Sequence, residues 1–264
     1  MMRSKPGRSP ILDEIELPVP RLPGAFDGIR IVHLSDLHLT YWNNRLSDWK
    51  LALTRLKCDL LVITGDLAHR AWLWRQTLPN VLRLLEGISP ELGIYFILGN
   101  HDSPELGPAL TQFGLRQLCN EAVILKRGGE RLALVGIAQH RRIDTDIPAA
   151  LCNVHADDCK IMLLHYPDLV HAAAAARVDV CLAGHTHGGQ ICYPDGRPII
   201  RHDSLPREMC AGVNRVDSTW LVVSRGMGKA ALRVRMFCPP QMMVITLVRG
   251  PVPARAGEGR SSGA

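Results

Sequence analysis

Residues 29–38 read Ile29-Arg30-Ile31-Val32-His33-Leu34-Ser35-Asp36-Leu37-His38. The apolar, β-branched half reads as a buried strand, and the polar residues after it stand where the loops of α/β sheets build sites. The same order recurs along the chain. Residues 60–64 lead into Gly65-Asp66, residues 94–98 into Gly99-Asn100-His101-Asp102, residues 161–164 into His165, and residues 178–182 through Ala183 into Gly184-His185-Thr186-His187. Apolar runs at 132–135, 220–224 and 243–248 read as further strands. Helical spacing lies at 46–56, at 68–85 with a break expected at Pro79, at 105–118 and at 168–176. Strands alternating with helices, followed by strands alone, predict an α/β fold in which two sheets form a β-sandwich flanked by helices.

A chain of 264 residues fits one compact domain, and no repeat or long linker divides its middle. Pro6, Pro10, Pro18, Pro20 and Pro23 remove backbone donors, so residues 1–27 are expected to form an extended N-terminal arm. Alternation of Ile15, Leu17 and Val19 permits an edge strand within it. A single domain is expected over 28–249, and the Gly-, Ser-, Pro- and Arg-rich residues 250–264 read as a disordered tail.

Hydrophobic residues at 47% and charged residues at 21% exclude wholesale disorder and a membrane bundle. No run approaches the ~20 apolar residues of a membrane span, and Arg3, Lys5 and Arg8 precede no apolar segment. A cytoplasmic location is therefore expected, with the eight scattered cysteines reduced. A net charge of +6 favours anionic partners, including a membrane surface contacted peripherally. Aromatic residues make up only 5%, so no basic groove with interleaved stacking residues is visible and no nucleic-acid partner is expected.

The polar residues after the strands form a metal-ligating set. In Asp36-x-His38 and His185-x-His187 the two side chains share a face if the strand extends through them. Carboxylate, imidazole and amide oxygen without thiolate suit Mn, Fe, Zn or Mg. Each block alone has an ordinary explanation, an Asp as a helix cap or a His as a satisfied core residue. Five blocks in order after strands point to a metal site. His33 belongs to no block and reads as a hydrogen-bonded core residue. Trp42, Trp49, Trp72 and Trp74 fit helix-to-sheet packing better than an apolar rim for an acyl chain. Arg225 and Arg235 flank a glycine-rich turn, where phosphate binding and surface ion pairing weigh equally.

The ordered blocks D-x-H, G-D, G-N-H-D, H and G-H-x-H resemble the calcineurin-like metallophosphoesterase superfamily. Ser35-Asp36-Leu37-His38-Leu39, residues 184–190, Ser224-Arg225-Gly226-Met227-Gly228 and Cys238-Pro239-Pro240 resemble its bacterial YaeI/YkuE-like branch. The resemblance spans residues 28–248. It implies two divalent metal ions, with Asp36, His38 and His187 on one, Asn100, His165 and His185 on the other, and Asp66 bridging both. It also implies hydrolysis of a phosphodiester or pyrophosphate by a metal-bridging hydroxide, with His101 protonating the leaving oxygen. The substrate class it admits includes a nucleotide-sugar lipid such as UDP-2,3-diacylglucosamine. Two departures stand out: His69 occupies the position where relatives place an orienting Asp, and Ala138-Gln139-His140 replaces an acidic pair. The alternative is a non-catalytic metal-binding scaffold of the same fold, against which all seven filled ligand positions argue.

Overall fold

In chain order the strands are β1 (Ile11–Pro18), β2 (Ile29–Leu34), β3 (Leu60–Thr64), β4 (Ile94–Ile97), β5 (Arg116–Gln117), β6 (Glu121–Arg127), β7 (Glu130–Gly136), β8 (Cys159–Leu163), β9 (Val180–Ala183), β10 (Gly212–Val216), β11 (Thr219–Val223) and β12 (Gln241–Val248). The α-helices are α1 (Asn44–Leu53), α2 (Trp74–Leu85), α3 (Leu106–Thr111), α4 (Ile147–Ala150) and α5 (Val170–Ala175). The computed structural model describes residues 10–140, 145–200, 204–230 and 234–251. The strands form two six-stranded sheets, ordered β1-β12-β2-β3-β4-β5 and β10-β11-β9-β8-β7-β6. This is the expected two-sheet architecture flanked by helices.

Period-two alternation explains the layers. In β2 and β3, Ile29, Ile31, Leu60 and Val62 enter the core between the sheets, where Ile161, Leu163, Val180 and Leu182 of the other sheet meet them. The alternate residues Val32, Leu34, Leu61 and Ile63 face a second apolar layer with Trp49 of α1 and Val81 and Leu84 of α2. Met162, Cys181 and Leu221 face a third, under Val170 and Ala173 of α5. Strands buried on both faces need apolar residues at every position, which is why the sequence shows runs rather than alternation. Truncating one such side chain, Ile31→Ala for example, should cost roughly 2–5 kcal/mol.

The N-terminal segment is integral to this packing. β1 pairs in parallel with β12 along its whole length. Leu17, Val19, Leu22 and Phe26 are buried in the core between the sheets. Residues 1–9 of the expected arm and 252–264 of the expected tail lie outside the described residues.

Helix boundaries depart from expectation in three places. α1 starts two residues early, because the Asn43 side chain accepts from the Leu46 N–H and caps it. The segment from Ala68 is not α-helical until Trp74, with a 3-10 turn at Ala71–Leu73, and α2 then continues through Pro79 without the expected break. Leu78, Val81, Leu82, Leu84 and Leu85 pack against the sheet and outweigh the one hydrogen bond that proline removes. The helix expected over 105–118 ends at Thr111, and Gly114 turns the chain at φ 88° into edge strand β5. β6 and β10 were not expected from the sequence, since both are half-exposed and carry charged residues. No helix among the described residues is long and apolar enough to cross a membrane. All eight cysteines are described, and no disulfide links them.

Candidate metal centre

β2, β3 and β4 run parallel in one sheet, and β8, β9 and β11 run parallel in the other. Their carboxyl ends deliver Asp36 and His38, Asp66, Asn100 and His101, His165, and His185 and His187 to one rim. Backbone bonds tie these loops together. Asp36 N–H donates to Gly65 O at 3.0 Å, His38 N–H to Asp66 O at 2.9 Å, and Met227 N–H to Ser35 O at 3.0 Å.

The side chains do not converge by the pleat of an extended strand, because the strand does not extend through them. β2 stops at Leu34, and Asp36 and His38 adopt left-handed φ of 50° and 42°. Asp66, His185 and His187 do the same, at 54°, 68° and 52°. Left-handed backbone costs a non-glycine residue roughly 1–2 kcal/mol, so strain is concentrated at this rim and held there by the surrounding packing. Two glycines make room. A Cβ on Gly99 would overlap Asp66 Oδ1, and one on Gly184 would overlap Ser35 Oγ.

Two buried groups of ligating atoms result, Asp36 with His38 and His187, and Asp36 with Asp66 and His165, each within 4.8 Å. His38 Nε2 and His187 Nε2 face each other at 3.0 Å. His38 Nε2 lies 3.5 Å from Asp66 Oδ2, and His187 Nε2 lies 3.6 Å from Asp36 Oδ1. On the other side of Asp66, His165 Nε2 lies 3.5 Å from its Oδ1 and 2.9 Å from Asn100 Oδ1. The His165 Nδ1–H donates to Thr64 O at 2.8 Å, which turns Nε2 toward the cluster. The His185 ring lies 5.1 Å from that of His165, and its backbone N–H donates to both Asp36 oxygens at 3.1 Å.

The electrostatics describe a site that calls for positive charge. Burial raises the Asp36 carboxyl to about 6, with Asp66 adding to the rise. Burial also works against the charge of Asp66, but His165 and His38 outweigh it and hold that carboxyl well below its ordinary value. Burial opposes protonation of His165, and the charges of Asp66 and Asp36 overcome it, raising His165 to about 9. His38 falls to about 3 through burial, so its nitrogen stays neutral and available. Two imidazole nitrogens aimed at each other between two buried carboxylates fit divalent cations by donor chemistry and by charge.

His101 stands at the edge of the cluster, its ring 5.0 Å from that of His38. Its backbone N–H donates to Asp66 Oδ1 at 2.9 Å, and its Nδ1–H donates to the backbone carbonyl of His69 at 3.1 Å. Asp102 does not face it. That carboxylate accepts from Ala68 N–H at 2.7 Å and Gly99 N–H at 2.9 Å, clamping two loops of the rim.

The sequence profile of the calcineurin-like phosphoesterase family matches residues 29–189. An uncharacterized metallophosphoesterase of Bacillus subtilis (strain 168), YkuE, is 31% identical over 235 residues, 86% of this chain and 81% of that protein. This chain is a calcineurin-like phosphoesterase. Similar too are an uncharacterized metallophosphoesterase of Aquifex aeolicus (strain VF5), 29% identical over 83% of this chain and 85% of that protein, and the phosphodiesterase YaeI of Escherichia coli (strain K12), 26% identical over 83% and 82%. It falls in their bacterial branch and is a phosphoester hydrolase.

Several residues outside the ligand set surround the phosphoesterase centre. Gln139, where an acidic residue was expected, accepts from the backbone N–H of His165 at 2.5 Å and of Tyr166 at 3.1 Å, so it fixes the His165 loop. His140 bonds the Asp102 carbonyl through Nε2 at 2.8 Å. Tyr166 packs its ring 4.2 Å from that of His185. Arg235 donates to His187 Nδ1 at 3.2 Å and to the carbonyls of Arg225, Gly226 and Gly228 at 2.7, 3.1 and 2.8 Å. Its guanidinium is thereby spent on orienting a ring and closing a turn. Arg225 packs against Gly188, next to His187, and lines a cavity with Tyr193, Arg197 and Arg207. His33 is a buried core residue bonded to Thr64 Oγ1 at 2.8 Å. Of the four tryptophans weighed as a rim, Trp49 is buried, Trp42 and Trp74 are partly buried, and Trp72 is exposed.

Proposed function

We propose that this phosphoesterase hydrolyses a phosphodiester or pyrophosphate bond at a dinuclear metal centre. Asp36, His38 and His187 hold one ion, Asn100, His165 and His185 the other, and Asp66 serves both. The observation that carries this reading is the buried alignment of His38 Nε2, Asp66 and His165 Nε2, in which one carboxylate has a neutral or exchangeable imidazole within 3.5 Å of each of its oxygens. Two divalent cations held there, Mn, Fe, Zn or Mg by the donor set, would supply Lewis acidity and make a water nucleophile available near neutral pH.

The chain's own residues do the rest. Asp36 and Asp66 fix the centre by charge, and Arg235 keeps the His187 ring in place. His101, held at Nδ1 by the His69 carbonyl, has Nε2 left to deliver a proton to the leaving oxygen. A phosphodiester that expels an alkoxide, or a pyrophosphate that expels a phosphate, gains from that proton. The nucleotide-sugar lipid UDP-2,3-diacylglucosamine contains such a bond and belongs among the substrates to be screened. The experiment is release of nitrophenol from bis-p-nitrophenyl phosphate by pure protein with Mn²⁺, before and after chelation. Turnover that survives chelation unchanged refutes the reading.

A further inference from the structure

A groove of about 650 Å³ opens beside His38 and His69. Three cations, Arg45, Arg70 and Lys229, line it, together with the exposed rings of Tyr41 and Trp72, and no carboxylate among the described residues does. None of the three makes an ion pair or a side-chain hydrogen bond among the described residues. Arg45 Nε is buried and has no partner among the described residues. Arg45 stacks 4.8 Å over the Trp49 ring and Arg70 4.9 Å over the Trp72 ring. Stacking occupies the faces of a guanidinium and leaves its in-plane donors open. Burial, and then the charges of Arg45 and Arg235, hold the Lys229 ammonium below its ordinary value.

Unneutralised like charges brought together at partly buried positions repel one another, and an anion among them removes that repulsion while taking up the open donors. Elsewhere in the chain such cations are paired, as Arg21 is with Asp179 and Arg131 with Asp158. The groove shares His38 with the candidate metal centre, so an anion within it lies next to the scissile phosphate and does not replace it. Arg45 and Lys229 are half-buried inside the cavity, a placement that fits a group of the substrate better than the flat surface of a membrane.

We propose that this groove is a substrate subsite for a second anionic group adjoining the scissile phosphate, and that Arg45, Arg70 and Lys229 are its specificity residues. The preferred substrates are then pyrophosphates or esters with an additional phosphate, ahead of diesters whose only charge is at the reacting phosphorus. This rests on the phosphoesterase reading of the adjoining centre.

The test compares adenosine 5′-monophosphate with α,β-methyleneadenosine 5′-diphosphate, which adds the second phosphoryl group through a bridge that cannot be hydrolysed. Calorimetric titration of the Mn²⁺-loaded protein should give about ten-fold or more tighter binding of the diphosphate, the worth of charge-assisted bonds to one more phosphate. In Lys229→Gln, and in the exposed Arg70→Gln, that ratio should fall toward one. Equal affinities in the unaltered protein, or a ratio unchanged in both variants, overturns the proposal. Turnover of bis-p-nitrophenyl phosphate with equal nucleotide affinities would sink the subsite alone. A preserved affinity difference without any turnover would sink the hydrolytic assignment of the centre and leave an anion site.

Discussion

The Nδ1–H of His101 donates to the backbone carbonyl oxygen of His69 at 3.1 Å. A carbonyl acceptor does for the ring what a carboxylate there would do: it fixes the tautomer and points Nε2 outward. It lends no negative charge.

Changing His101 to Asn should leave metal content intact and lower turnover of substrates with poor leaving groups by roughly 10² to 10⁴. Nitrophenolate departs without a proton, so bis-p-nitrophenyl phosphate should lose far less. His69→Ala keeps the carbonyl and should cost little. A loss as deep as that of the His101 variant would assign the orienting role to the His69 side chain.

Asp66→Asn should be the most damaging ligand change. Its two oxygens face His38 on one side and His165 on the other at 3.5 Å each, and an amide removes the charge from both. Elemental analysis should find both metals depleted. Two retained ions per chain with wild-type turnover would exclude a shared role for Asp66.

Gly99 is confined by the Asp66 carboxylate, which the Cβ of Gly99→Ala would overlap. Overpacking of this kind typically costs about 1–3 kcal/mol. The variant should show a lower Tm and weaker metal retention together. An unchanged Tm with full metal content would mean that the rim relaxes freely.

Burial lowers the His33 imidazole from 6.5 to about 3. The unfolded chain therefore takes up a proton first, so stability from this group is complete above pH 6.5 and declines as pH falls toward about 3. The decline reaches up to about 1.4 kcal/mol per pH unit. In metal-free protein, urea unfolding of His33→Asn should lose less stability between pH 7.5 and 4.5 than the wild type, windows set by that shift. Parallel losses would show that His33 does not contribute.

The centre was legible because its residues follow strands whose apolar runs announce themselves: Asp36 after β2, Asp66 after β3, His165 after β8. The backbone that aims them was not, since nothing in Asp36-Leu37-His38 distinguishes a left-handed turn from an extended strand. The helix expected over 105–118 stops at Thr111 although Leu110, Leu115 and Leu118 keep a helical rhythm, because Leu115 and Leu118 enter the core from beyond its end, past Gly114. A backbone acceptor such as the His69 carbonyl leaves no residue-type signature. Arg45, Arg70 and Lys229 lie far apart in sequence and form a common groove only once α1, the loop after β3 and the turn before β12 are in place.

The most direct test of the account is hydrolysis of bis-p-nitrophenyl phosphate by the purified chain, stripped of metal and then titrated with Mn²⁺. Activity should be absent in the stripped protein, rise to a plateau at two ions bound per chain, and vanish on chelation. Activity that persists in the stripped protein, or a fully loaded protein that turns over nothing, would contradict it.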